Sequence, residues 1–578
     1  MRINGNVSNI TFLRLKLILS AALVVILLLY QVSTMAMASK PILVKPGCEY
    51  EPVNLAKYGY GAFEEATIIR SENGKLKTTL NVAYANHDLA GCSTKLRSYN
   101  DELVGPTLRL RPGDTLIIDL KNELPNEDDS ASEDINEPHN FNVTNFHSHG
   151  LHVSPAGNSD NVLIAVLPGV DYQVEIYVPD NHPTGTFWYH AHVHGSTALQ
   201  VSSGMSGALI IEDKENPRSL DAVPQIKAAK EKTFMLQQIS YDEQGVIEDY
   251  DCFGPGTKTS PGCNWSNSNR HTTINSQFVP TLEIKEGEVE RWRFIHAGIR
   301  ETIDLAISGN NDKQWPLYEI AVDGLSLGYI NRWDNIALQP GYRVDLLVKA
   351  PKLDEGYQEQ VYWLYDQPSS SDTSLRATEE VRQVLAKIVI KPGDKDMSLP
   401  CDTFNQRGAC SVLAKTRPHR DITDNELNGK AQHVEFNIAS RICPEDVTKP
   451  CIPCKDNHKT CKTRFMVNDR PFSPDIVRLL ELGTASEWKL SSELANHPFH
   501  IHVNPFQYTR KNPEGKDEIV WRDTLMINQG ADPVSIRSRY QRYIGQFVLH
   551  CHILDHEDQG MMQIVEVALP NDGDKHHH

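Results

Sequence analysis

The sequence predicts an all-β protein built from three similar domains. Beyond residue 38 the chain reads as short runs of alternating apolar and polar residues broken by Gly/Pro turns. Long amphipathic helical stretches are few. One signature also returns at long spacing. Gly105-Pro106-Thr107-Leu108-Arg109-Leu110-Arg111-Pro112-Gly113-Asp114 leads into the alternating run Thr115 to Leu120. Val279-Pro280-Thr281-Leu282-Glu283-Ile284-Lys285-Glu286-Gly287-Glu288 precedes Trp292-Arg293-Phe294, and a weaker copy, Leu479-Leu480-Glu481-Leu482-Gly483, precedes Glu487-Trp488-Lys489-Leu490. Each reads as a strand, a tight glycine turn and a second strand, so a domain type is repeated.

Composition sets the boundaries. The 578 residues suffice for three to five domains of about 100–200 residues. Residues 213–232 are polar and charged and read as a linker. Residues 391–430 form a second irregular region with a cysteine pair. Domains are therefore expected over 39–215, 225–395 and 430–570. The acidic stretch 122–140 reads as a solvated surface insertion.

The first 38 residues read as an export signal. Arg2, Arg14 and Lys16 precede the apolar run Leu17 to Tyr30, and Ala36-Met37-Ala38 offers a small-x-small cleavage site. An uncleaved single-span anchor is the alternative. Without a twin arginine the general secretory route is expected, giving a secreted or periplasmic protein; no later segment is apolar enough to span a membrane. Ten of the eleven cysteines (Cys48, Cys92, Cys252, Cys263, Cys401, Cys410, Cys443, Cys451, Cys454, Cys461) can pair in an oxidising compartment. Cys252–Cys263 and Cys401–Cys410 fit local pairing, although spacing does not fix connectivity. Cys451-Ile-Pro-Cys454 has redox spacing but no surrounding βαβ pattern, and is expected as a structural disulfide. Cys551 is left over. A net charge of −18 disfavours nucleic acid or anionic membrane as the main partner.

Four histidine-rich segments lie in two clusters: His147-Ser148-His149 and His190-Ala191-His192-Val193-His194 in the first domain, His497-Pro498-Phe499-His500-Ile501-His502 and His550-Cys551-His552 with His556 in the last. With 23 histidines, chance supplies roughly one H-x-H pair. In a strand, residues i and i+2 share a face, so each pair presents two imidazoles side by side. In His550-Cys551-His552 the imidazoles face one way and the sulfur the other, and one strand serves two metal sites back to back. His497, His556 and Met561 complete a set of two imidazoles, a thiolate and a thioether on the sulfur side, which suits an electron-transfer copper. The absence of carboxylates from this set argues against a hydrolytic zinc site.

These segments, with the ending His550 to Gly560-Met561, resemble the four copper motifs of the multicopper oxidases, a family that includes laccases, ascorbate oxidases, ferroxidases and bilirubin oxidases. The resemblance extends to the repeat and to Pro340-Gly341-Tyr342-Arg343-Val344-Asp345. It implies three cupredoxin-like Greek-key β-barrel or sandwich domains and four copper ions. The type 1 ion would take His497, Cys551, His556 and axial Met561; type 2, His147 and His500; the type 3 pair, His149, His190, His192, His502, His550 and His552. A reducing substrate would give up single electrons near a type 1 histidine, to pass through Cys551 to His550 and His552, and four would reduce O2 to water. Asp555 and Asp160 match positions at which family members supply protons. The thioether of Met561 implies a low-to-moderate potential.

The resemblance points first to a laccase-like oxidase of phenols or aromatic amines, since no Met-rich segment is present. A metallo-oxidase of Cu(I), Fe(II) or Mn(II) is the alternative, and Glu557 and Asp558 beside His556 could hold such an ion. A non-catalytic copper carrier is a third reading, which leaves eight histidines unexplained. His194 reads as structural, and His152, His182, His296 and His458 as ordinary surface or core residues. Asn142-Val143-Thr144 and Asn264-Trp265-Ser266 fit the glycosylation pattern. His576 to His578 are a purification tag or a native tail.

Overall fold

The computed structural model describes residues 60–570 apart from 90–91, 127–133, 242–244, 249, 251–268, 310–313, 371–373, 376–381 and 455–460. The expected export signal, His458 and the Cys252–Cys263 pair lie outside the described residues. No helix among them is long and apolar enough to cross a membrane.

Six β-sheets form three sandwiches, each around its own apolar core. The strand–turn–strand signature makes the corner between the two sheets of each. Gly105–Leu110 lies in one sheet and Thr115–Asn122 in the other; Thr281–Lys285 and Val289–His296 divide likewise, as do Val477–Glu481 and Ala485–Ser492. Gly113, Gly287 and Gly483 take φ of +91°, +70° and +86° in these corners, a region open to glycine at little cost. Pairing repeats as well. The first strand of each corner runs parallel to the last strand of its sandwich: Ser206–Ile211, Gln383–Lys391 and Met562–Ala568. The second runs parallel to a strand that precedes the corner: Lys75–Leu89, Lys230–Tyr241 and Gln432–Ile442. Three domains thus share one topology, that of the cupredoxin-like sandwich.

The supposed connectors are packed rather than loose. Within 213–232, Leu220, Val223 and Ile226 are buried in a cluster with Val289, Ile320, Leu347 and Leu413, and the strand Lys230–Tyr241 begins before the region ends. Leu413 comes from the second irregular region, where Cys401–Cys410 is a disulfide as expected. Cys451 and Cys454 do not pair with each other: Cys451 bonds Cys443 and Cys454 bonds Cys461. The acidic stretch is not simply solvated either. Asn122 is buried at the end of a strand, with Nδ2 donating to the Asn142 and Val166 carbonyls, and Asp134 accepts from Arg464 of the third domain at 2.6 Å. Asn142 is buried with its side chain bonded to Arg97, which removes it as a glycan acceptor.

Candidate metal centre

Two strand pairs bring the histidine segments together. His147–His149 runs antiparallel to Gly185–His190, with His147 opposite His190. His497–Ile501 runs antiparallel to Gly545–Cys551, with His500 opposite His550 and Phe499 opposite Cys551. The pairs meet across the first and third domains: His149 stacks on His500 with ring centroids 3.8 Å apart, and His147 on His502 at 3.9 Å. Among the described residues, ligand-capable atoms converge in five groups, each within 4.8 Å: His147, His149 and His500; His149, His190 and His552; His192, His502 and His550; His497, Cys551 and His556; and His194, Glu557 and Asp558. All eight imidazoles of the first three groups are buried. Cys551 joins a different group from His550 and His552, as the period-two alternation of a strand requires.

The buried nitrogens say what these groups are for. His190 and His550 each donate Nδ1–H to an adjacent backbone carbonyl at 2.9 Å, and His500 Nδ1 donates to the Asp523 carbonyl at 2.9 Å. The opposite nitrogens of His147, His190 and His500 are buried without any hydrogen-bond partner, and both of His552 are. The Nε2 atoms of His192 and His502 stand 3.1 and 3.3 Å from that of His550. Burial, then repulsion from neighbouring imidazoles, pushes each of His147, His149, His192, His500, His502 and His552 well below the ordinary histidine range. Neutral imidazoles with unspent lone pairs facing one another are costly as they stand. They fit shared metal ions, with the second ring nitrogen fixed by a carbonyl or carboxylate.

Supports for this cluster come from three directions. Asp160 is buried, accepts from His147 Nδ1 at 3.0 Å and from the Ser148 N–H at 2.8 Å, and is raised by burial to about 7. Asp523 stands 3.1 Å from His149 Nε2 and is gripped by both guanidinium nitrogens of Arg343, a middle-domain residue. Asp323, also of the middle domain, binds Arg522 and receives the Asp523 and Thr524 N–H groups. Sequence reading missed Asp523 and gave Arg343 no role, although Arg343 lies in a motif it singled out.

On the sulfur side, His497 donates Nδ1–H to Ser492 Oγ at 2.9 Å, and Cys551 Sγ accepts from the Ile553 N–H at 3.3 Å. Burial raises the Cys551 thiol well above its usual range, so a bound cation is what would hold it as thiolate. Met561 is buried, and its carbonyl accepts from the Cys551 N–H at 3.0 Å.

The three carboxylates after Cys551 are separated by the helix Leu554–Asp558. Asp555 is clasped by Arg300 through Nε and Nη2, which ties up the carboxyl expected to supply protons. Asp558 accepts from the Gly195, Thr197 and Ala198 N–H groups and from the Tyr250 hydroxyl. Glu557 is fully buried, and burial lifts it to about 8 against hydrogen bonding from Thr197 and Asp558. His194 faces it at 3.5 Å. Burial raises the Asp555 carboxyl as well, against the pull of Arg300.

Comparison with known proteins agrees with this geometry. Residues 135–216 and 448–570, which contain all four histidine segments, match family models described as multicopper oxidase. A multicopper oxidase of Staphylococcus haemolyticus is 24% identical over 81% of this chain and 83% of its own length. The laccase of Bacillus subtilis is 23% identical over 83% of this chain and 91% of its own. The solved structure of a Campylobacter jejuni multicopper oxidase, described as a metallo-oxidase, superposes with a TM-score of 0.64 at 21% identity, covering 93% of this chain and all of that one. With three cupredoxin-like domains and buried histidine groups astride the first and third, the chain belongs to the multicopper oxidases, oxidoreductases that use O2 as electron acceptor.

Proposed function

We propose that the protein is a laccase-like oxidase that takes single electrons from phenols or aromatic amines and passes four to O2, giving water. His497, Cys551 and His556, with the thioether of Met561, would hold one copper; His147 and His500 a second; His149, His190, His192, His502, His550 and His552 a pair. Copper supplies the one-electron and O2 chemistry that none of these side chains can. The protein supplies the rest. His556, at 8% exposure against 0% for His497, is the ring edge a reductant can approach. The single strand carrying His550, Cys551 and His552 links the two sides by covalent bonds. Asp160 and Glu557, both buried and raised to near neutrality, keep protons available inside the fold. The apolar leader read from the sequence and three disulfides support a location outside the cytoplasm.

The choice of substrate rests on one observation: no carboxylate next to His556 is exposed where a metal ion could dock from solvent. Asp555 is paired with Arg300, and Glu557 and Asp558 are fully buried. The group at the His556 edge is Arg300, paired with Asp555, with its Nη2 3.4 Å from His556 Nε2. Neutral or anionic aromatic donors suit that edge better than Fe(II), Cu(I) or Mn(II). O2 uptake across phenols, aromatic amines and these ions tests the reading; a clear preference for a metal ion would overturn the substrate class. Cys551→Ser should abolish both the intense visible thiolate band and turnover, and retention of turnover would overturn the copper assignment.

A further inference from the structure

A cavity of about 270 Å3 opens among the first domain, the segment leading into the third, and the third domain itself. No Asp or Glu lines it, in a chain whose net charge is −18. Its ionisable lining is Arg539, Arg542 and three histidines, joined by the amides of Asn181, Asn504 and Gln541. Trp521 Nε1–H is buried there without a hydrogen-bond partner, as is Nε2 of His419, which donates in its Nε2–H tautomer, on rings 4.7 Å apart. Arg542 meets no carboxylate among the described residues: Nη2 donates to Asn181 Oδ1 at 2.6 Å, across the two domains. The second arginine, Arg539, is spent on Glu426 and on the Arg420 and Asp421 carbonyls. His182 Nε2 is already filled by the His152 N–H and both Nδ1 atoms donate to carbonyls, which leaves His152 Nε2 as the one imidazole acceptor of this pair. A buried donor left unpaired is costly.

We propose that this cavity binds a small anion, an inorganic oxyanion or the carboxylate of a small organic acid, between Arg542 at its mouth and the N–H groups of Trp521 and His419 within. An anionic acceptor pairs both orphaned donors with charge-assisted hydrogen bonds and meets no like charge on the walls. The site is independent of the copper reading. It also differs from the reductant end, since neither His497 nor His556 lines it.

Calorimetric titration of the copper-loaded enzyme with inorganic phosphate, and separately with succinate, tests the proposal. Saturable binding of at least one is expected, and the tighter arm identifies the source. Trp521→Phe, which keeps the ring and removes the donor, and Arg542→Gln should each weaken binding about tenfold, with the visible spectrum unchanged. The anion should leave the KM of the reducing substrate unaltered. Absence of saturable binding in both arms, wild-type affinity in both variants, or competition with the reductant would overturn it.

Discussion

His296 ends the strand Val289–His296 with both ring nitrogens committed: Nε2–H donates to the Glu301 carbonyl at 2.7 Å, and Nδ1 accepts from the Gly298 N–H at 3.1 Å. This is the ordinary core histidine its lack of motif partners suggested. Burial lowers it to about 4, whereas the unfolded chain titrates near 6.5. The folded state therefore binds fewer protons between those values. Its contribution is complete above pH 6.5 and is lost as pH falls toward 4, at most roughly 3 kcal/mol. His296→Gln should flatten that acid-side loss, read as a smaller drop in the urea midpoint between pH 7 and pH 5 than in the wild type. Asp160 is a different case, because its carboxyl both orients His147 and stores a proton. Asp160→Asn keeps an acceptor oxygen but has no proton to give. Turnover should fall about a hundredfold while the Cys551 band stays, and an unchanged rate would exclude the role.

The strand Gly185–His190 shows what one element demands of its neighbours. A Cβ on Gly185 would overlap the Gly324 carbonyl oxygen of the middle domain, and one on Gly324 would crowd the Thr186 carbonyl and the Phe187 ring. The two backbones touch because neither residue has a side chain. Gly185→Ala should destabilise the protein by about 1–3 kcal/mol or more, whereas Gly61→Ala, with nothing within 4 Å, should be close to neutral in thermal unfolding. Elements of this kind also mark what the sequence could reveal. The corners at Gly113, Gly287 and Gly483 and the alternation in His550-Cys551-His552 are local patterns, fixed by residues a few positions apart, and they were readable. The partner of Cys451, the clasp of Arg300 on Asp555 and the burial of Glu557 depend on segments that meet only in three dimensions. Polar composition likewise concealed the anchoring of 213–232, because three apolar residues suffice to pin it.

At the scale of the molecule the middle domain contributes no histidine to the cluster, yet it braces the others. The turn at Asp323 and Gly324 packs on Thr186 and Phe187 of the first domain and, through the Asp323 carboxylate, binds Arg522 and the Asp523 and Thr524 N–H groups of the third. Arg343 then holds Asp523 beneath His149 and His500. Weakening that brace should loosen the histidine cluster and spare the sulfur side. Asp523→Asn should lower copper retention there about 10- to 100-fold, seen as fewer copper ions per chain with the thiolate band intact. Equal loss from both sides would count against the brace. The crossing of the two strand pairs also fixes a timetable. Synthesis delivers the first domain's imidazoles early, and His500 and His502 later, but the last partners, His550 and His552, arrive only with the strand Gly545–Cys551 and the residue after it. Until then a half-built socket waits with its donors unanswered, so the metal is a late cargo, and a polypeptide cut short before that strand is barren however well its earlier portions fold.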